Sequence, residues 1–400
     1  MGMLIETLWK IFRRCDLLKG RKLRSVLCLS KELQYRKVSI LIPVYRESEL
    51  LEKILNHLLN DPYDNKEIYV VIDEPTEKSL DTVRRYKGLV KFILNGKRRG
   101  KARALSEALE ESNGDILLFL DSDVLVPNNL LKRIVEELKN ADIVQLKGRT
   151  VKKSFLSRMI SYDDIGFNAF YYIFSKWLRR CPGVSGCAFA VKRRVFEELG
   201  GFRRVIQEDF DFGVRAFLKN KKFKFLSDLE VLIEPPSSFN KWLKQRRRWS
   251  IGTAICIKEY WKDLAKLVFR TPQLILPALF FMFPAIFVLL IDIFVPDLLM
   301  EKIVLFSLFL LSMKFNLILP PLSLTAAFLP LFKNVVALIV AFGSSCMLFY
   351  AIARKLRLGF NFLEFSIYYF LYSPLWLLIT TSSLLKVLAN LPYDLDDWVC

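Results

Sequence analysis

From Val38 onward, short apolar runs alternate with longer stretches of helical period. VSILIP (Val38–Pro43) predicts a buried strand, followed by a helix over about Glu47–Leu59. IYVVI (Ile68–Ile72) predicts a second strand, ending on Asp73-Glu74, then a helix over about Glu77–Tyr86. VKFIL (Val90–Leu94) predicts a third strand. A basic loop NGKRRGK follows, then a helix over Ala102–Glu111 and a fourth strand over Ile116–Leu120. Apolar runs this short, bounded by polar loops, suit strands buried on both faces. Strands alternating with helices predict a largely parallel, doubly wound α/β sheet. A second half of this region runs from Ala141 to about Leu232.

The pattern changes at Thr271, after which charges become rare up to Leu388. A bilayer span takes roughly 20 apolar residues. Pro272–Val295, Asn334–Ala353 and Phe365–Leu388 qualify, while Lys302–Leu331 is broken by Lys314 and Pro320-Pro321. About four spans are expected, the second being one helix or a re-entrant pair. Arg354, Lys355 and Arg357 would then face outward if the preceding domain is cytosolic, against the positive-inside tendency. Residues 1–37 mix Leu, Ile, Trp and Phe with many cations, which predicts a basic interfacial helix, the alternative being a flexible basic tail, with no cleavable signal peptide. The expected organisation is an interfacial segment over 1–37, an α/β domain over 38–236 and interfacial helices over 237–270. Transmembrane helices over 271–390 and a tail over 391–400 complete it.

Composition agrees with that division. Hydrophobic residues make up 53% of the 400 residues and mean hydropathy is +0.27, too apolar for a wholly soluble chain. The net charge of +19 fits an anionic membrane surface and an anionic ligand. No zinc-finger or basic-zipper pattern supports nucleic acid as a partner. The seven cysteines are scattered without a CxxC pair, which predicts reduced thiols. The single histidine, His57, excludes a multi-histidine zinc site.

The candidate chemistry begins at LLFLDSDVLVP (Leu117–Pro127), where an apolar run ends on Asp121-Ser122-Asp123. Residues two apart in an extended strand share a face, so both carboxylates would aim together and call for a divalent cation; the alternative is two solvated loop acids, or Asp123 capping a following turn. Gly96, Gly100 and Lys101 resemble a phosphate-binding P-loop, but the spacing is one residue short and Ala102 replaces its hydroxyl. Lys101 at a helix N-terminus can still meet a phosphate. Gly183–Phe202 is rich in small residues that permit close backbone approach to a ligand. In QEDFDFG, Asp209 is either a helix cap or a carboxylate able to take a proton. In KWLKQRRRWSIGTA, helical spacing puts Gln245, Arg248 and Trp249 on one face, suited to a diphosphate and a sugar, or to lipid headgroups.

Taken in order, ILIPVYRE, VIDE, GKARALSEAL, DSD, SGCAF, ED and QRRRW resemble the membrane-integrated family 2 glycosyltransferases, the group of cellulose synthase, hyaluronan synthase and ceramide glucosyltransferase. The resemblance covers about Val38 to Ala254. It implies a nucleotide-sugar-binding domain of glycosyltransferase A type, followed by transmembrane helices. It implies inverting transfer from a nucleotide-sugar, a UDP-sugar above all, to a polysaccharide or glycolipid acceptor. Pro43, Tyr45, Glu47 and Asp73 would hold base and ribose, and Lys101 the diphosphate. Asp121, with Ser122, would contact the nucleotide, and Asp121 and Asp123 would ligate Mg²⁺ or Mn²⁺. Asp209 would be the general base. Gly186, Cys187 and Glu208 would line the acceptor side, and Gln245, Arg248 and Trp249 would bind the diphosphate and the acceptor end. The catalytic domain would face the cytosol from the cell membrane. Two positions depart from the family pattern: VIDEPT replaces the usual Asp-Asp-Gly-Ser, and Arg103 stands where glycine is common.

Two other readings compete. One is a polyprenyl-phosphate sugar transferase, against which QRRRW speaks because the resemblance ties that motif to the polysaccharide and glycolipid branch. The other is a non-catalytic membrane transporter or scaffold, against which the retained acids at Asp73, Asp121, Asp123 and Asp209 speak.

Overall fold

The computed structural model describes residues 36–270, 272, 281, 297–315 and 322–393. Nearly all of the expected interfacial segment 1–37, nearly all of Pro272–Val295, the Pro320-Pro321 break and most of the 391–400 tail lie outside the described residues. The described residues divide into two compact units, one of 36–146 with 179–231, the other of 147–178 with those from 232 onward.

In chain order the strands are β1 (Val38–Tyr45), β2 (Lys66–Asp73), β3 (Lys91–Asn95), β4 (Ile116–Leu120), β5 (Val124–Leu125), β6 (Ile143–Thr150), β7 (Ala188–Lys192) and β8 (Phe223–Ile233). The helices are α1 (Leu51–Leu59), α2 (Glu77–Arg85), α3 (Lys101–Glu111), α4 (Leu130–Glu137), α5 (Phe155–Trp177), α6 (Arg193–Glu198) and α7 (Glu208–Leu218). They continue with α8 (Phe239–Arg270), α9 (Asp297–Phe315), α10 (Leu322–Lys355), α11 (Phe362–Ile367) and α12 (Ser373–Leu388). A π-helical turn, Tyr368–Tyr372, joins the last two.

The strands form one sheet in the order β3-β2-β1-β4-β7-β6-β8-β5. β1 pairs in parallel with β2 and with β4, and β2 with β3, as the alternating pattern predicts. Beyond β4 the sheet turns antiparallel, β4 pairing with β7 and β7 with β6. The fold is therefore a mixed α/β sheet. The chain order reverses between β1 and β4, and in doubly wound sheets ligands bind at the strand ends beside such a reversal.

The first unit is cored by residues that the apolar runs predict. All five residues of β4 are buried. Phe119 stacks on Phe189 at 5.0 Å between ring centres, and Phe196, Phe202 and Phe212 close the aromatic cluster. Buried Ser39 donates to Glu67 Oε1 at 2.6 Å and accepts from the Gly114 amide at 2.9 Å, joining β1, β2 and the loop before β4. Lys37 completes this group, with its Nζ 2.7 Å from Glu67 Oε2. His57 is exposed in the last turn of α1, a solvated residue.

In the second unit, α5 starts at a capping box between Ser154 and Ser157, which satisfies the amides of its first turn. α8 is interrupted at Tyr260, where φ and ψ leave the helical region. Tyr162, Trp242, Phe349, Phe365 and Tyr368 form the core of this unit. Asn334–Lys355 and Phe362–Leu388 are long and apolar enough to cross a membrane.

Candidate active site

The site is built at the strand ends of the first unit, starting from Asp73. This buried carboxylate ends β2, and its Oδ1 accepts from Asn95 Nδ2 at 2.9 Å. Its Oδ2 accepts from the amides of Arg99 and Gly100 at 2.8 and 3.0 Å. Gly100 has φ +88°, a conformation that favours glycine, and Lys101 is the first residue of α3. Asp73 thus fixes where α3 begins and where Lys101 stands.

Lys101 Nζ lies 2.7 Å from Asp121 Oδ1 and 3.2 Å from Glu208 Oε1. Burial alone would lower the ammonium pKa, but the charges of Asp121, Glu208 and Asp209 outweigh it and the pKa is raised. Glu208 is buried, and burial pushes its carboxyl upward; Lys101 opposes that, and Asp209 adds to it.

Asp121 and Asp123 do not extend a strand. β4 ends at Leu120, opposite Ala188, and the acids sit on the turn that leads into β5. They are still adjacent, but their environments differ: Asp121 is half-buried beside Lys101 and Asp123 is exposed. The turn is held by the Asp121 amide donating to Cys187 O at 3.1 Å and by Ser48 Oγ donating to Ser122 O.

Gly186 and Asp209 face each other across the same space. The Gly186 amide donates to Asp209 Oδ2 at 2.6 Å, and the Phe210 amide donates to Asp209 Oδ1 at 2.7 Å. A Cβ on Gly186 would fall 2.7 Å from Lys101 Nζ and 2.8 Å from Asp209 Oδ2, so a larger residue there requires both side chains to shift. Gln207, not Asp209, is the cap residue of α7. The loop carrying Gly186 is anchored by Gln145, whose Oε1 accepts from the Ser185 amide at 2.9 Å and whose Nε2 donates to Ala188 O at 3.0 Å. The Cys187 thiol is pushed up to about 12 by burial and by the charges of Asp121, Asp123 and Asp209, which keeps it protonated and unreactive.

Tyr45, Glu47 and Pro43 gather at the end of β1. Tyr45 is exposed and donates its hydroxyl to Glu74 Oε2 at 3.2 Å, while the Arg98 guanidinium lies 4.2 Å from the centre of its ring. Glu47 Oε2 accepts from Thr76 Oγ1 at 2.8 Å. Pro43 lies within β1 opposite Val71. Arg46 and Glu74, at the ends of adjacent strands, both adopt positive φ, 64° and 53°, which is costly for such residues. Sequence reading gave no role to Glu74 or Arg98, although both lie within segments it quoted, VIDE and NGKRRGK.

Asp121, Glu208 and Asp209 set three carboxylates around one ammonium, with Asp123 two residues from Asp121, an excess of negative charge that suits a divalent cation. Among the described residues no cluster of three or more His, Cys, Asp or Glu has the geometry to hold a metal alone. Two carboxylates fit the habit of Mg²⁺, which is bound by one or two of them together with substrate phosphates and water.

Residues 39–200 match the family model described as glycosyl transferase family 2. The chain carries a family 2 glycosyltransferase domain. The match spans Asp73, Lys101, Asp121, Asp123 and Gly186 and stops before Asp209. The chain is 24% identical over 363 residues to a probable glycosyltransferase, YdaM, of Bacillus subtilis, covering 87% of this chain and 82% of that one. A β-monoglucosyldiacylglycerol synthase of Synechocystis is 26% identical over 242 residues, 57% of this chain and half of that relative's length. A mannosyltransferase from Pyrobaculum calidifontis, solved with GDP-Man and Mn²⁺, superposes with a TM-score of 0.45 at 18% identity, over 76% of this chain and 86% of that one.

Gln245, Arg248 and Trp249 lie beyond the family match, on α8 in the second unit. All three are half-buried, and the Trp249 ring meets Phe167 edge-on at 6.4 Å. The residue the sequence did not single out is Arg246, which is 1% exposed and ion-paired to Asp163 at 2.8 Å. The adjacent Asp163-Asp164 in an otherwise apolar stretch of α5 was the available signal.

Proposed function

We propose that this chain is an inverting glycosyltransferase that moves a sugar from a nucleotide-sugar, a UDP-sugar above all, to a lipid or glycan acceptor at a membrane surface. The observation that carries the reading is the convergence of Lys101, Asp121 and Asp209 around Gly186, where the Lys101–Asp121 distance is 2.7 Å and the Gly186–Asp209 hydrogen bond is 2.6 Å. In this reading Asp209 takes the proton of the acceptor hydroxyl. The oxygen so freed bonds to the anomeric carbon from the face opposite the diphosphate. The bond between that carbon and the phosphate oxygen breaks, and the diphosphate leaves with the electron pair. Asp121 and Asp123 would hold Mg²⁺ or Mn²⁺, which supplies charge neutralisation to the leaving group when bound. Lys101 adds a fixed positive charge beside the phosphates, where preorganised electrostatics acts most strongly.

Pro43, Tyr45, Glu47 and Asp73 form the base and ribose end of the donor site, and Ser122 lies beside the nucleotide. Gly186, Cys187 and Glu208 form the acceptor side, with Gln245, Arg248 and Trp249 serving the diphosphate and the acceptor end. The two helices long and apolar enough to cross a membrane support an integral membrane protein; in this reading its catalytic domain faces the cytosol. The likeness to a β-monoglucosyldiacylglycerol synthase supports a glycolipid product. Purified protein in diacylglycerol-containing vesicles, given Mn²⁺ and in turn UDP-glucose, UDP-galactose, UDP-N-acetylglucosamine and GDP-mannose, tests this by mass spectrometry of lipid and aqueous products. A new glycoside with inverted anomeric configuration is expected. Nucleotide-sugars recovered intact in every arm would overturn the reading.

A further inference from the structure

We propose that Arg246 is a positioning residue that sets the orientation of the Trp249 indole through an ion pair with Asp163 and a stack on Trp376. This deepens the proposed function and rests on its assignment of Trp249 to the substrate. Arg246 and Trp249 stand one helical turn apart on α8, the i, i+3 spacing at which side chains touch. The guanidinium carbon lies 4.6 Å from the Trp249 ring centre and 4.4 Å from that of Trp376 on α12. Trp242 is a third indole at 5.9 Å. A planar cation among indole faces gains from their quadrupoles, the more so when desolvated.

The polar side of the group is fixed as firmly. Arg246 Nη2 donates to Asp163 Oδ2 at 2.8 Å. Asp163 also accepts from the Tyr372 hydroxyl at 2.6 Å and from the Tyr368 hydroxyl at 3.2 Å. Tyr372 in turn accepts from Trp242 Nε1 at 2.8 Å. Both tyrosines belong to the π-helical turn, a rare element that recurs at functional sites. Arg246 Nε and Nη1 are buried without a hydrogen-bond partner. Hydrogen bonding therefore uses only part of this cation, and three indole rings lie around it.

A well-packed apolar core serves stability as well as a buried ion pair does, so stability alone does not explain the charge. What the pair adds is geometry. Asp163 orients the guanidinium plane, and that plane sets the tilt of the indole stacked on it. Trp249 is half-buried, so part of it stays open to a ligand.

The test uses the full chain in detergent micelles with UDP and GDP, each with Mn²⁺, as probes. The variants are Trp249→Phe, Arg246→Lys, their double, and the charge-free pair Asp163→Asn with Arg246→Met. Arg246→Lys keeps the charge but loses the planar stack. The expected result is that Trp249→Phe and Arg246→Lys each weaken the tighter nucleotide about tenfold, with the double no weaker than Trp249→Phe alone, as residues acting through one another require. The Trp249 emission, taken as wild type minus Trp249→Phe, should shift to the red in Arg246→Lys and in the charge-free pair, even where the thermal midpoint of the latter is retained. Unchanged Trp249 emission in both, or additive losses of affinity, overturns the positioning role. Trp249→Phe binding both nucleotides like wild type overturns instead the assignment of Trp249 to the substrate, while the emission shift still decides the positioning.

Discussion

Lys101 Nζ sits 2.7 Å from Asp121 Oδ1, so the group suited to a phosphate is paired with the acid suited to a metal. An arriving metal–diphosphate would draw both apart, each toward a partner of opposite charge, without leaving either unpaired. Lys101→Met should weaken UDP–Mn²⁺ binding about 10–100-fold, the loss of one charge-assisted hydrogen bond of roughly 1.5–3 kcal/mol. The same variant should bind Mn²⁺ alone more tightly, because Asp121 has lost its competitor. Titration calorimetry reads the first effect and Mn²⁺ electron paramagnetic resonance the second.

Asp209→Asn should lower turnover about 10²–10⁴-fold while changing nucleotide affinity little. Asparagine keeps one oxygen that can accept from the Gly186 or the Phe210 amide, so one of the two bonds that fix this side chain remains. Steady-state transfer beside UDP binding separates the two quantities, and a fully active variant removes Asp209 from the role of base.

Gly186→Ala tests whether the site depends on that bare backbone. The new Cβ would stand 2.7 Å from Lys101 Nζ and 2.8 Å from Asp209 Oδ2, forcing both to shift. A displacement of this kind is expected to cost about 100-fold in turnover with the fold retained. Circular dichroism melts alongside transfer assays give both readings.

Gly213→Ala should act on stability instead. Its Cβ would meet Gly183 Cα and the Val184 amide nitrogen, each at 2.5 Å, backbone atoms that cannot rotate away. Overpacking of this sort costs about 1–3 kcal/mol, read as a lower urea midpoint.

Acid should release the β1–β2 junction through Glu67. Burial opposes its charge, but hydrogen bonds from Lys37, Ser39 and the Asn113 amide win and hold its pKa near about 2, below the ordinary 4.5. A carboxyl depressed in the folded state stabilises fully above its unfolded pKa, and that contribution fades as pH falls from 4.5 toward 2. Glu67→Gln should flatten the pH dependence of the unfolding midpoint in that window.

The parallel half of the sheet was legible because each apolar run there is followed by a helical period. The run AFAVK that makes β7 carries no sign of direction, so its antiparallel pairing with β4 was not. DSD was visible as an acidic pair, yet the strand reading put both acids on one face, whereas the turn gives them different exposures. QRRRW showed three arginines in a row; which one is buried depends on Asp163, 83 residues earlier, and no local pattern reports a partner so distant. Asp209 was legible as an acid near a helix start, and its fixing by Gly186 required the loop and the helix to be brought together.

Asp73 gives the proposed donor site a shared reference point. One oxygen grips β3 through Asn95, and the other grips the two amides just before Lys101. A substitution there would move the ruler rather than one mark on it. Base recognition and phosphate capture would fail in the same measurement, and no choice of nucleotide analogue would separate them.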